Sequence, residues 1–331
     1  MKNPNTHKNA NARALKKVNG TLTHNRKTST LKTANLNVPH LKSDARTMLY
    51  GNQDEVAQLI GKIEFKDQWI HVVKGSTWYQ WAGTYWHQDL KAGGFDTIRK
   101  GLRTAIKRMN SWVKQMLRNG GLSNKDQEEL ESDARKADFA KRAKHYISDI
   151  YALVSKDDDY TIAPGAFDAD PNHLGTPEGT VDLTIPDFIS ADPCHYISRQ
   201  TICAPAKGEP DRWLQFLDEI FAGDQGVIDF IQRLCGYALT GQTREEKLFF
   251  LYGSGANGKS KFLETLTYIW NNYATRIAPT TLLNKRFSDH STEIAKLAGA
   301  RLVLGSELPT GEIWDDQKLK ELTGGDTLTA R

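Results

Sequence analysis

Apolar residues recur at helical spacing in the middle of the chain, with basic residues on the remaining faces. The apolar positions are Ile98, Leu102, Ile106, Met109, Val113 and Leu117. This pattern predicts an amphipathic helix that ends at Asn119-Gly120-Gly121. Ser123 and Asp126 are typical of the N-terminal cap of a second helix, which we expect to reach about Val154 and to pair antiparallel with the first.

Short β-prone runs lie on both sides of this helical region. The segment that begins at Trp69 and ends near Trp86 holds four of the eight tryptophans, and its glycines predict a hairpin or meander. Its aromatic side chains either pack in a core, as alternating strand aromatics usually do, or stack on nucleic-acid bases. Residues 155–212 hold seven of the eleven prolines, so we expect short strands and loops there. Helical spacing resumes from Trp213 to about Leu239 and predicts two further helices.

The motif that carries chemistry lies in the string LFFLYGSGANGKSKFLETLTYIW. An apolar run at residues 248–252 is typical of a buried parallel strand, and apolar positions at helical spacing follow from Phe262 to Trp270. Between them the pattern G-x-x-x-x-G-K-S predicts a phosphate-binding loop with backbone N–H groups directed at an anion. The predicted loop residues are Gly253, Ser254, Gly255, Ala256, Asn257, Gly258, Lys259 and Ser260.

The residue types of the loop predict ATP and Mg²⁺ as its ligands. Lys259 is the cation expected at the β- and γ-phosphates, and Ser260 is the hydroxyl expected on Mg²⁺. Hydrolysis also needs a carboxylate near the γ-phosphate, normally at the end of a neighbouring strand. The run at residues 300–305 predicts such a strand, after a short helix at about 289–297, and Glu307 is the candidate for orienting the attacking water.

Composition excludes a membrane or secreted protein. The longest apolar runs have about five residues, against roughly 20 needed to cross a bilayer, and no apolar signal core occurs near the N-terminus. The three cysteines form neither an even disulfide set nor a paired zinc-ligand pattern, so we expect reduced thiols. These features favour a cytoplasmic protein.

The positive charge is concentrated at the N-terminus. Residues 1–46 contain ten Lys or Arg and one acid, so they carry +9; the whole chain carries +4, which leaves 4 − 9 = −5 for the rest. The segment is too polar to bury a core, and we expect a disordered basic tail. Such a tail either binds DNA phosphates or is only solvated, and the same alternatives apply to the basic residues of the helix after Ile98.

Three stretches of the sequence together resemble the superfamily 3 helicases, and within them the phage and plasmid primase-helicases of the satellite phage P-four and poxvirus type. They are residues 216–260, the strand that ends at Glu307, and LKELTGGDTLTAR at residues 319–331. A weaker similarity to the pre-helicase domain of that family extends over about residues 69–210.

The resemblance implies a hexamer that threads single-stranded DNA and hydrolyses ATP between subunits. It places Lys320, Gly324 and Gly325 in a motif that contacts the strand, although a lysine there is as often only solvated. It also implies a bacterial host and a prophage or plasmid origin. In that family a further strand and an arginine lie downstream of Arg331, so we expect an incomplete core and no unwinding by this chain alone.

The predicted fold is therefore an α/β P-loop NTPase of AAA+-like type, incomplete at its C-terminal end, behind a mixed α+β domain. We divide the chain into a tail (1–46), a pre-helicase domain (47–212), a helical linker bundle (213–243) and a P-loop ATPase core (244–331). The predicted function is an ATP-dependent DNA helicase. The alternative is a remnant that binds DNA or nucleotide without helicase activity, and a small-molecule kinase is disfavoured because the sequence lacks a lid-like arginine cluster.

Overall fold

The computed structural model describes residues 43–185, 187–283, 291–305 and 311–324. Most of the predicted basic tail lies outside these residues. The helices in the described part of the chain are α1 (Ser43–Tyr50), α2 (Gln53–Glu64), α3 (Gly93–Asn119), α4 (Asn124–Lys141), α5 (Lys144–Val154), α6 (Asp211–Ile220), α7 (Gln225–Leu239), α8 (Lys259–Trp270), α9 (Ser291–Ala295) and α10 (Asp316–Thr323).

Strands occur in three small sheets, so the described residues form a mixed α/β protein. The strands are β1 (Trp69–Val72), β2 (Thr77–Trp81), β3 (Trp86–Gln88), β4 (Thr161–Ile162), β5 (His173–Thr176), β6 (Gly179–Asp182), β7 (Asp187–Ile189), β8 (Ala274–Ile277) and β9 (Leu302–Gly305). The sheet orders are β3-β2-β1-β4, β5-β6-β7 and β8-β9.

The first core lies where α1 to α5 pack on the meander β1-β2-β3. The apolar face of α3 is buried from Ile98 to Val113, as its spacing predicts. Phe65 lies at the centre of an aromatic group, with its ring 5.0 Å from Trp78 and 5.9 Å from Trp69. Trp69, Trp78 and Trp86 are all buried, so the prediction that this region packs a core is confirmed.

Two predicted boundaries need correction, the end of the second helix and the end of the tail. Ser123 caps α4 as expected, because its Oγ accepts a hydrogen bond from the Asp126 N–H at 3.2 Å. The second helix does not continue to Val154, however, since Ala143 is extended and separates α4 from α5. α4 packs on α1 and α3, whereas α5 packs mainly on α2 and α3, so one straight helix does not serve both surfaces. Residues 43–46, assigned to the tail, form the first turn of α1 because Ala45 and the following Met48 are buried.

The second core joins segments that are distant in sequence. It contains Leu174 and Val181 of the β5-β6-β7 sheet, Leu217 of α6, and Phe262 and Leu266 of α8. The β8-β9 pair adds to it through half-buried Leu302 and Ala274. The helix α8 therefore shares this core with strands β5 and β6, and its buried residues fix the helix that follows the loop.

No helix in the ranges that the structure describes is long and apolar enough to cross a membrane.

Candidate nucleotide-binding site

The helix α8 begins directly at the Lys-Ser of the predicted loop. Gly258 precedes it with φ of 82°, a left-handed conformation that favours glycine. Three side chains anchor the helix, since Phe262, Leu266 and Trp270 are buried. Trp213 of α6 stacks on Phe262, with 5.7 Å between ring centres and 17° between planes. The loop thus precedes a fixed helix N-terminus, where the first N–H groups have no partner within the helix.

Gly258 is also required by close packing. A β-carbon on Gly258 would lie 2.4 Å from Cγ2 of Ile220, at the end of α6, so a side chain there displaces the loop or the helix. Two other loop residues, Gly253 and Ala256, also have positive φ, at 148° and 58°. The backbone of the loop is therefore bent at three positions between Gly253 and Lys259.

The ammonium group of Lys259 lies across the loop. It donates hydrogen bonds to the carbonyl oxygens of Gly253 at 3.2 Å and Ser254 at 3.3 Å, and to Oδ1 of Asn257 at 2.8 Å. Ser260 is exposed on the first turn of α8. A cation and an exposed hydroxyl therefore occupy the first two positions of α8, directly after the loop. This combination of groups can bind the phosphates of a nucleotide and an oxygen-seeking cation.

The run before the loop differs from its prediction. Residues 248–252 form no strand, and in the part of the chain described no other strand pairs with them. Their side chains are exposed, with Tyr252 at 86% and Phe250 at 69%. Because a parallel strand is stable only when its backbone groups pair with a neighbour, the prediction of a buried strand is wrong for the described structure. Phe250 contacts Trp314 instead, with 6.2 Å between ring centres.

The predicted strand after residue 300 is present as β9. It pairs in parallel with β8, from Ala274 opposite Leu302 to Ile277 opposite Gly305. Glu307, the predicted carboxylate, lies outside the described residues. The predicted helix before the strand is present as α9, which ends at Ala295 rather than at about residue 297.

Two residues that sequence reasoning missed fix this strand pair. Arg301 donates hydrogen bonds from its guanidinium to the carbonyl oxygens of Leu239 and His173, the latter at 2.6 Å. Tyr273 is fully buried, accepts a hydrogen bond from the Gly175 N–H at 2.9 Å and donates one to the Arg199 carbonyl at 3.0 Å. Burial lowers the pKa of Arg301 and raises the pKa of Tyr273 to about 12. The only sequence signal was an arginine directly before an apolar run, which does not reveal its partners.

The predicted DNA contacts are only partly described. Lys320 is exposed on the last turn of α10. Gly324 ends that helix and donates its N–H to the Lys320 carbonyl oxygen at 2.7 Å. Gly325 lies outside the described residues.

In the ranges described, neither the cysteines nor groups of potential metal-ligating side chains form a disulfide or a metal site. Cys194, Cys203 and Cys235 are free thiols. Among the described residues no group of three or more His, Cys, Asp and Glu side chains is arranged to bind a metal ion.

Comparison with known proteins places similarity ahead of the loop. Residues 58–222 match the family described as D5 N terminal like. A protein of Acanthamoeba polyphaga mimivirus, named as a proposed helicase, is 36% identical over 110 residues. That alignment covers 33% of this chain and 12% of the mimivirus protein, so the chain spans a small part of its relative.

Proposed function

Because the chain belongs to the phage and viral primase-helicase family, we propose that it is a superfamily 3 module that couples ATP hydrolysis to movement on single-stranded DNA. The observation that carries this proposal is the ammonium of Lys259, which lies across a glycine loop at the start of α8. The same loop geometry also supports nucleotide binding without hydrolysis or movement on DNA.

The proposed roles follow from the chemistry of each side chain. Lys259 exchanges its bonds to the Gly253 and Ser254 carbonyls for phosphate oxygens and compensates their negative charge. The N–H groups at the start of α8 add donors to the same phosphates. Ser260, a hard oxygen ligand exposed on the first turn, fits Mg²⁺, which when bound neutralises charge between the β- and γ-phosphates. Glu307 orients the attacking water in this proposal.

The assembly and DNA contacts are part of the same proposal. We assign nucleotide binding to residues 244–331, the helical linker to 213–243 and the pre-helicase domain to 43–212, because α1 begins at Ser43. The protein is proposed to act as a hexamer in the bacterial cytoplasm, with Lys320, Gly324 and Gly325 near the DNA strand. Lys320 is exposed, and its ammonium group suits a contact with a phosphate.

One observation favours the narrower alternative of a binding module without hydrolysis. The run at 248–252 is exposed and unpaired in the described structure. A paired strand in that place would fix the N-terminal end of the loop. In the narrower alternative the chain binds nucleotide or DNA but does not complete the ATPase site.

ATP hydrolysis measured with and without single-stranded DNA separates these functions. The helicase function requires DNA-stimulated turnover that Lys259→Ala reduces by about 10²–10³, as for loss of one charge-stabilising group, while Lys261→Ala retains it. Lys261 is the matched control because it lies two residues away and is exposed, with Glu264 as its ion-pair partner at 3.5 Å. Nucleotide binding without turnover would favour the alternative. A protein that shows neither nucleotide or DNA binding nor ATP turnover would contradict both functions.

A further inference from the structure

The outer face of α3 carries cations that have no acidic partner. Arg103, Lys107, Lys114 and Arg118 are all exposed, and among the described residues none of them forms an ion pair. Successive residues of an α-helix differ by about 100°, so spacings of four, seven and four residues place these four within about 60° of one another. We call these four residues the basic stripe.

The basic stripe is long, straight and turned away from the core. The residues from Arg103 to Arg118 cover about 22 Å along the helix axis at about 1.5 Å per residue. The apolar positions of α3, including Leu102, Ile106 and Met109, are buried on the other side against the first core. The buried residues from Ile98 to Val113 anchor α3, so the backbone positions that carry these cations are fixed relative to the first core.

Other cations of α3 and α4, in contrast, form ion pairs with acidic residues. On α4, Arg135 pairs with Glu131 and Lys136 with Asp133, both at 3.5 Å. At the start of α3, Lys100 pairs with Asp96 at 2.7 Å. Asp96 is the single acidic residue of α3.

Asp138, an acid of α4 that contacts α3, already has other partners. Asp138 accepts a hydrogen bond from Asn110 of α3 at 2.7 Å and also pairs with Arg142. The charge of the basic stripe is therefore uncompensated within the described protein.

We infer that the basic stripe is a binding surface for the phosphate backbone of single-stranded DNA. Four cations in a row release counterions from a polyanion, which makes binding favourable and dependent on salt. A flexible single strand adjusts its phosphate spacing to a straight row of cations, whereas a stiff duplex presents a curved backbone to it. The exposed neighbours beside the stripe on α3 include Thr104 and Ser111 rather than aromatic residues, so this face binds the backbone without reading bases. This inference rests on the proposed function for its choice of DNA.

Two triple variants of the full chain test this surface. The stripe variant is Arg103→Gln, Lys107→Gln and Lys114→Gln. The control is Lys125→Gln, Arg135→Gln and Lys136→Gln on α4, which removes one arginine and two lysines that are equally exposed. Circular dichroism establishes that both variants fold as the parent does.

The binding of a labelled oligonucleotide is measured without nucleotide across a series of salt concentrations. We expect the stripe variant to bind about 100-fold more weakly at about 0.1 M salt and to flatten the slope of log K against log salt by about 2, because each single-strand phosphate contact contributes about 0.7. The control should keep at least a third of the parent affinity. Acetylation of Lys107 and Lys114, read by mass spectrometry, should also fall when DNA is bound, while acetylation of Lys125 does not.

Equal affinities of the stripe variant and the control would overturn the inference, and so would a parent that binds no oligonucleotide. A loss confined to duplex DNA would overturn the choice of a single strand. The assay needs no ATP, so failure of the nucleotide site, read separately with Lys259→Ala, does not affect it.

Discussion

The guanidinium carbon of Arg301 lies 4.6 Å from the centre of the Tyr273 ring. The backbone joins the same two residues, because the Arg301 N–H donates to the Tyr273 carbonyl oxygen at 2.7 Å. Through their side chains the pair reaches the β5 residues His173 and Gly175 and the end of α7 at Leu239. The strand pair β8-β9 is thereby fixed to the segment that precedes the nucleotide loop.

Arg301→Lys should lower the free energy of unfolding by about 1–3 kcal/mol. A lysine has a single ammonium on a flexible stem, so it does not reach the carbonyls of Leu239 and His173 together, and one buried acceptor loses its donor. Chemical denaturation measures the change. Arg276→Lys is the control, since Arg276 is exposed on β8 and should change stability by less than about 0.5 kcal/mol. Equal effects of the two variants would contradict the assigned role of Arg301.

Tyr273→Phe should lower the free energy of unfolding at neutral pH. It should also remove one cause of the fall in that free energy above pH 10. Burial raises the pKa of Tyr273 from 10.0 to about 12, so its neutral form contributes stability below pH 10. Above pH 10 the unfolded tyrosine ionises first, and this contribution falls by about 1.4 kcal/mol per pH unit until the folded group ionises. The parent should exceed the variant at pH 8 by about 1–3 kcal/mol and lose that advantage between pH 10 and 12. Denaturation at pH 8, 10 and 11 checks this, and a constant difference would count against it.

Gly258→Ala should destabilise the start of α8 by about 1–3 kcal/mol. The substitution forces an alanine into φ of 82° and places its β-carbon 2.4 Å from Ile220. Gly255→Ala is the matched control in the same loop, because nothing lies within 4 Å of its β-carbon and its φ is not positive. Thermal unfolding of both variants tests the difference. A tolerated Gly258→Ala would mean that the loop does not pack on α6.

Tyr252→Ser should change the free energy of unfolding by less than about 0.5 kcal/mol. Its side chain is 86% exposed, so little apolar burial is lost. The comparison is Phe262→Ser, which removes a buried ring of the second core and should cost several kcal/mol. A large loss for Tyr252→Ser would show that residues 248–252 are buried as the sequence predicted.

Local patterns predicted most of the helices and the meander, because each depends on neighbouring residues. The spacing of α3 and the cap at Ser123 required no distant information. The start of α8 at Lys259 was likewise evident from its glycines.

Predictions that depended on distant partners were less successful. The run at 248–252 is apolar enough for a strand, yet strand formation needs a paired neighbour, which composition does not supply. The hydrogen bonds of Arg301 reach residues that are 62 and 128 positions away in the sequence, and no short motif predicts such bonds. Of the candidate site, the glycine turn and the start of α8 were predictable because they depend on adjacent residues. Phosphate binding by Lys259 stays a prediction, and Glu307 and Gly325 lie outside the described residues.

Titration of the full chain with Mg²⁺-ATP, for the parent, Lys259→Ala and Lys261→Ala, tests the central claim most directly. The claim is that the loop at 253–260 binds nucleotide through the Lys259 ammonium, which lies 2.8 Å from Asn257 and across the loop carbonyls. Loss of a charge-assisted bond to phosphate should weaken binding by about 1.5–3 kcal/mol in Lys259→Ala, or roughly 10- to 150-fold. Lys261→Ala should bind as the parent does, since Lys261 pairs with Glu264. A parent without affinity for nucleotide, or equal binding by all three proteins, would contradict the account.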